Sequence, residues 1–295
     1  MNILITGASG LIGSALNSYF EGAGHRVIPL VRDSSGAAFT WQPEKDVINL
    51  DESVDIDVVI NLAGPGVADK RWSETRKKEL LEARVHCTEL LSKTLAQRDQ
   101  KPSVFISASA IGFYGPRDDQ PVDEFADSGS GFLAEISRQW EAATAAAEAA
   151  GIRSVHTRFG IVLAADGGAL KRMLLPFRLG LGGPIGSGRQ YMSWITLDDV
   201  VRAVEFVIQD DNLRGPVNLV APGAVDNREF TRTLGRVLKR PAFIPMPGFQ
   251  ARLLFGEMAE EILLTGVRVK PARLQQAGFH FRSESLEEAL RSMLG

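Results

Sequence analysis

The run Thr6-Gly7-Ala-Ser-Gly10-Leu-Ile-Gly13 holds the residues whose types and spacing speak most directly of chemistry. Glycines so placed let a chain turn tightly and bring its backbone close to a ligand. A helix starting there offers unpaired N–H groups to a pyrophosphate. Thr6, Leu11 and Ile12 share that turn. The spacing is G-x-x-G-x-x-G rather than G-x-G-x-x-G, and it carries weight only between a strand and a helix. A plain strand–turn–helix with glycines kept for packing is the other reading. A second position chooses the nucleotide. An acid ending the second strand would bind the adenosine ribose hydroxyls, whereas an arginine accommodates a 2′-phosphate. Here the strand ends in Arg32, followed by Asp33. NADP(H) is therefore expected ahead of NAD, the alternative being that Arg32 is a solvated loop charge.

Further along, Lys70, Arg71 and Trp72 follow the apolar run 58–62. Two cations and an indole beyond a strand end suit an anionic or planar small-molecule substrate. A solvated helix entry capped by Ser73 is equally open. Arg84 falls on the inward stripe Leu80, Leu81, Cys87, Thr88, Leu91 and Leu95 of a helix over 73–97. A guanidinium held among leucines needs an acceptor: a substrate carboxylate, a phosphate or backbone carbonyls. Snorkelling to solvent is the competing account. Arg189 closes the glycine-rich stretch 180–188, where the chain could pass close to a ligand or simply turn at the surface. Arg158 and Gly160 end another apolar run and are expected near the nicotinamide.

These residues need elements to position them. Short apolar runs at 3–5, 27–31, 58–62, 104–107 and 154–157 read as strands, and 11–21, 73–97 and 132–150 as the helices between them. That alternation predicts an α/β fold, a Rossmann-type doubly wound parallel sheet. Later come a helix over 168–179, a helix over 200–208 capped by Asp198, a strand at 217–220 and a helix over 227–238. The expected division is 1–240 as the nucleotide-binding domain, with substrate-loop insertions near 166–196, and 246–295 as a small C-terminal cap.

Composition narrows the function classes. The 295 residues carry 36 acidic and 33 basic side chains, net −3, which speaks against a nucleic-acid binder. Hydrophobic residues make up 44%, enough for a sizeable core. Cys87 is the single cysteine, so neither an intramolecular disulfide nor a cysteine-based zinc site can form, and no metal is expected. No run approaches the ~18 apolar residues of a membrane span. The first residues lack the pattern of a secretory signal. A cytoplasmic protein without a membrane partner is the expectation.

Taken together, Thr6 to Gly13, Asn61-Leu62-Ala63-Gly64 and Ser107-Ala-Ser109-Ala-Ile-Gly-Phe-Tyr114-Gly115 resemble the extended short-chain dehydrogenase/reductase superfamily, which includes nucleotide-sugar epimerases and dehydratases. The stretch from Gly186 to Asp199 is similar to a later segment of that superfamily. Asp69 to Trp72, Trp140-Glu141 and the tail from Met246 resemble an atypical epimerase-like subfamily with its own C-terminal domain. The resemblance implies that Leu62, Ala63, Gly64 and Ser107 border the cofactor and that Ser109 holds a substrate oxygen. Satisfying backbone groups at a strand end is the plainer role for Ser109. The superfamily's Tyr-x-x-x-Lys pair is missing: Leu133 and Ser137 stand at those positions. Tyr114 could substitute as acid, and Arg84 takes the place of a structural asparagine. Met192 replaces the arginine that nucleotide-sugar enzymes direct at the diphosphate. The implied function is an NADP(H)-dependent oxidoreductase or epimerase-like enzyme with a modified centre, or alternatively a non-catalytic NADP(H) sensor. A homodimer through helices 73–97 and 132–150 is implied as well.

Overall fold

The structure is a computed structural model that describes residues 1–32, 39–117 and 119–295; Asp33 lies outside the described residues. The strands are β1 (Asn2–Thr6), β2 (Arg26–Arg32), β3 (Thr40–Gln42), β4 (Val47–Asn49), β5 (Val58–Asn61), β6 (Val104–Ala110), β7 (Arg153–Phe159), β8 (Ile161–Leu163), β9 (Tyr191–Met192), β10 (Trp194–Thr196), β11 (Gly215–Leu219) and β12 (Val225–Asp226). The helices are α1 (Leu11–Gly22), α2 (Glu74–Gln97), α3 (Phe132–Ala142), α4 (Ala145–Ala149), α5 (Gly168–Arg178), α6 (Leu197–Gln209), α7 (Asn227–Leu238), α8 (Gly248–Phe255), α9 (Ala272–Gln276) and α10 (Leu286–Leu294).

Ile3, Leu4 and Ile5 are all fully buried. Successive side chains of a strand point to opposite faces, so β1 needs cover on both. The sheet order is β11-β7-β6-β5-β1-β2-β3-β4, parallel except for the β3–β4 pair, which is the expected doubly wound Rossmann-type arrangement. One face packs Leu16 and Phe20 of α1 and Val200, Val204 and Val207 of α6 onto Ile3, Ile5, Ile60 and Ile106. The other packs Cys87, Leu91 and Leu95 of α2 and Ala147 of α4 onto Leu4, Val59 and Phe105. Each such aliphatic or aromatic side chain contributes about 1.5–3 kcal/mol through burial.

Register then decides which residues meet at the strand ends. Thr6 stands opposite Leu30 on one side and Asn61 on the other. Asn61 faces Ser107, Ser109 faces Arg158, and Arg158 faces Asn218. The carboxyl ends of β1, β5, β6 and β7 thus lie level, where parallel α/β sheets bind ligands.

Two sequence expectations are corrected. The helix over 132–150 is two helices, broken at Ala143 and Thr144. Ser92 of α2 reaches into the break, donating to the Thr144 carbonyl and accepting from Ala147 N–H. That side chain takes over backbone bonds the alanine-rich sequence would otherwise make within one helix. The cap of α6 is Thr196, whose hydroxyl accepts from Asp199 N–H; Asp198 is already inside the helix. Asp199, fully buried, instead accepts from the backbone N–H groups of Arg282 and Ser283. The residues from 246 onward pack closely on the rest of the chain: Leu274 and Phe279 enter the core beneath α6, while Leu286 and Leu290 pack with α5 and α7. Helix α7 packs with α5 and α10 in a second lobe.

Candidate active site

The glycine turn has the form a nucleotide needs. Gly7 sits at φ +67°, and a Cβ there would lie 2.8 Å from the Leu62 carbonyl oxygen. A Cβ on Gly13 would collide with the Gly7 carbonyl. A side chain at either position would push the turn's own backbone apart. Gly10 caps α1 without a side-chain hydrogen bond, and the first turn holds no acid, so the helix start is free to receive an anion. Thr6 fixes the opposite wall. Its hydroxyl accepts from Leu62 N–H at 3.0 Å and Ala63 N–H at 3.1 Å and donates to Asn61 at 2.7 Å. Asn61 donates in turn to Thr88 at 2.8 Å, which also accepts from the Trp140 indole at 2.9 Å. Ser107 lies 3.4 Å from Asn61 in this same buried network. Leu11 touches Gly167 at the start of α5, while Arg172 of that helix pairs with Asp69 at 2.7 Å and donates to the Ala68 carbonyl. The glycine turn, α5 and the segment after β5 are thereby linked in a ring around the strand ends. Arg32 is exposed at the end of β2, with no carboxylate partner among the described residues. Thr6, Gly7, Gly10, Leu11, Ile12, Gly13, Leu62, Ala63 and Gly64 lie at the ends of β1 and β5 and the start of α1, and Arg32 ends β2; such donors would suit a dinucleotide carrying a 2′-phosphate.

The adjoining centre is built from side chains and is largely closed. Ser109 donates to Glu141 Oε1 at 2.6 Å. Arg158 grips the same carboxylate in a fork, Nε to Oε1 at 2.7 Å and Nη2 to Oε2 at 2.8 Å. Burial disfavours the charge of Arg158, but the Glu141 bonds outweigh it and raise its pKa. Its guanidinium also lies 3.4 Å from the centre of the Phe113 ring and donates to Tyr114 Oη at 2.9 Å. Tyr114 is fully buried and donates to Asn218 at 2.8 Å. Burial pushes its phenol up to about 12. One expectation changes here. Tyr114, with both hydrogen-bonding directions used inside the protein, is not placed to act as the acid. Arg158 is a strut under Ser109, and its donors go to Glu141 and Tyr114. Gly160, by contrast, hydrogen-bonds the β11 end through its N–H to Leu219.

Arg84 is 7% exposed and donates to the carbonyls of Leu80 at 3.0 Å and Pro65 at 2.7 Å. It lies 5.1 Å from the centre of the Trp140 ring and against Gly64. Burial, with the Arg76 charge added, lowers its pKa to about 10. Among the described residues no carboxylate pairs with it. The other substrate candidates separate. Trp72 is 8% exposed, donates to the Val67 carbonyl and packs edge-on to Phe132, so it is core rather than a ligand platform. Lys70 and Arg71 are exposed, Arg71 against Gly256. Arg189 is exposed on its own loop.

Glu141 and Asn218 are the residues sequence reasoning missed. The signal was there in register: Ser109, Arg158 and Asn218 occupy matching heights on β6, β7 and β11, and a buried arginine demands a carboxylate.

Residues 3–220 match the family model "NAD dependent epimerase/dehydratase family". The chain belongs to that family. Residues 246–293 match a second model, a domain of unknown function called DUF1731. Epimerase family protein MT2273 of Mycobacterium tuberculosis is 44% identical, over 98% of this chain and 96% of its own. A crystal structure of human epimerase family protein SDR39U1 with NADPH superimposes at TM-score 0.91, with 34% identity and 99% of each chain covered. A nucleoside-diphosphate sugar epimerase from Corynebacterium glutamicum gives TM-score 0.81 at 33% identity, over 100% of this chain but 58% of that one. On α3 stand the two positions that the superfamily pattern would give to Tyr and Lys. Ser137 is 2% exposed and spends its hydroxyl on the Leu133 carbonyl at 2.8 Å. Neither Leu133 nor Ser137 can exchange a proton with a substrate in place of the missing Tyr and Lys.

Proposed function

We propose that this epimerase-family protein binds NADP(H) and is an oxidoreductase acting on a small anionic hydroxy or carbonyl compound in the cytoplasm. The Ser109–Glu141 pair stands in it for the missing Tyr and Lys. The observation that carries this is the 2.6 Å bond from Ser109 to a carboxylate clamped by Arg158. Bound NADP(H) supplies the hydride donor or acceptor. The glycine turn and the start of α1 hold its pyrophosphate, and Arg32 its 2′-phosphate. A substrate hydroxyl set against Ser109 would donate to Oγ, whose own proton is already directed at Glu141. A proton thus has a path from substrate oxygen to carboxylate. Arg84 offers an anionic group a guanidinium with no protein carboxylate. The human relative crystallised with NADPH supports the choice of nucleotide.

A second reading, an NADP(H) sensor without catalysis, is favoured by the burial of Ser109 (2% exposed) and Tyr114. Turnover separates the two. The enzyme reading expects oxidation of bound NADPH by some member of a panel of α-keto and sugar acids, lost in Ser109→Ala and in Glu141→Gln while NADPH affinity is kept. Unchanged turnover in both variants would remove the Ser109–Glu141 relay. Unaltered NADPH with every member would favour the sensor.

A further inference from the structure

Large apolar side chains are unevenly exposed on this molecule. Of the eleven exposed ones among the described residues, eight fall between 175 and 254: Leu175, Leu179, Leu181, Phe243, Ile244, Phe249, Leu253 and Leu254. Leu175 on α5 and Leu179, the residue that caps its end, are four residues apart and both exposed, while the inner side of α5 carries Leu170, Leu174 and Phe177. Phe249 and Leu253 repeat that spacing on α8. Backbone pairing brings the two stretches together: Ile244 N–H donates to the Gly182 carbonyl, Met246 N–H to Pro184, and Gly186 N–H to Met246. Pro241 lies within contact distance of Gly180. Exposed patches of this kind on a soluble protein mark an interaction site.

Charge identifies the partner. Residues 167–197 contain four cations and no acid, and residues 230–256 contain five and no acid, in a chain whose net charge is −3. Lys171, Arg178, Lys239 and Arg240 are exposed and have no carboxylate partner among the described residues. The neighbouring acids are engaged: Asp69 with Arg172, Glu260 with Arg252, Glu257 with Lys77, and Glu261 with the N–H groups of Phe132 and Leu133. Protruding leucines and phenylalanines ringed by free lysines and arginines match a bilayer interface. Apolar groups there enter the acyl boundary while cations meet anionic headgroups. The α2 face implied for a homodimer carries exposed Lys78–Glu82 and Glu89–Lys93 pairs instead. No helix among the described residues is long and apolar enough to cross a membrane, and an interfacial contact needs none.

We propose that the outer face of α5, the 239–244 turn and α8 form a docking surface for an anionic lipid bilayer, placing the candidate site at the membrane surface. Helix α5 ties the two together, with its start against the glycine turn and its end in the patch. The test is co-sedimentation of the full chain with vesicles of phosphatidylcholine alone and with about a third phosphatidylserine. Binding is expected on the anionic vesicles only and should weaken as salt rises. It should fall about tenfold or more in a triple variant Arg178→Glu, Lys239→Glu, Arg240→Glu, and also in Phe249→Ser with Leu253→Ser. Circular dichroism and NADPH titration report whether each variant is folded. Absence of binding, equal binding to neutral vesicles, or a concentration-dependent dimer abolished by the serine variants would overturn the proposal. The last of these would assign the face to a second copy.

Discussion

The two ends of the crevice are built on opposite principles. At the nucleotide end, the ligand-facing groups are backbone: a glycine turn no side chain can enter and a helix start left without a cap. At the reaction end they are side chains, and almost every one already has a protein partner: Ser109 with Glu141, Arg158 with Glu141 and Tyr114, Tyr114 with Asn218. A backbone cradle costs the fold little because water satisfies its N–H groups when no ligand is bound. A buried charge cannot be left waiting in the same way, so the protein must pair it. Binding is thus read from shape, and chemistry from a network that doubles as structure.

That contrast predicts where damage falls. The largest effect is expected at Glu141. Glu141→Ala leaves the Arg158 guanidinium buried without its carboxylate, a loss of about 3–5 kcal/mol in unfolding free energy by urea denaturation. A loss below about 1 kcal/mol would mean that the pair is not part of the frame. At the other end, Gly7→Val forces a side chain to positive φ and into the Leu62 carbonyl. Affinity for NADPH should drop about a hundredfold with the reaction-end network intact. Near-normal affinity would show that the nucleotide does not approach this turn.

Arg84 sharpens the comparison, being a reaction-end charge without a carboxylate. Its pKa is lowered by burial to about 10, so folding disfavours its protonated form. A depressed folded pKa contributes stability only above the ordinary guanidinium range, and that contribution is lost as pH falls through about 10. At neutral pH Arg84 is therefore a cost. Arg84→Met should leave unfolding free energy unchanged or raise it by about 1–4 kcal/mol, while ligand turnover falls. Destabilisation with turnover retained would make Arg84 structural.

Legibility followed the same division. The five long parallel strands and the cradle glycines could be read from sequence, because period, glycine placement and strand–turn–helix order are local signals. Strands β3 and β4, three residues each, carry no such signal. The break between α3 and α4 depends on Ser92 from another helix, which local propensity cannot see. Trp72 looked like a ligand platform because its neighbours Lys70 and Arg71 are charged, yet tertiary packing against Phe132 decides its place. The second lobe was hidden for a related reason. Its core is assembled from α5, α7 and α10, three stretches far apart in the chain. Glu141 required knowing that Ser109 and Arg158 sit side by side.

The most direct test of the account is calorimetric titration of the wild-type chain and of Arg32→Asp with NADPH and with NADH. The wild type should bind NADPH more tightly than NADH, by about tenfold or more, and Arg32→Asp should erase or invert that preference. No binding of either nucleotide by the folded wild-type protein would contradict the account at its base.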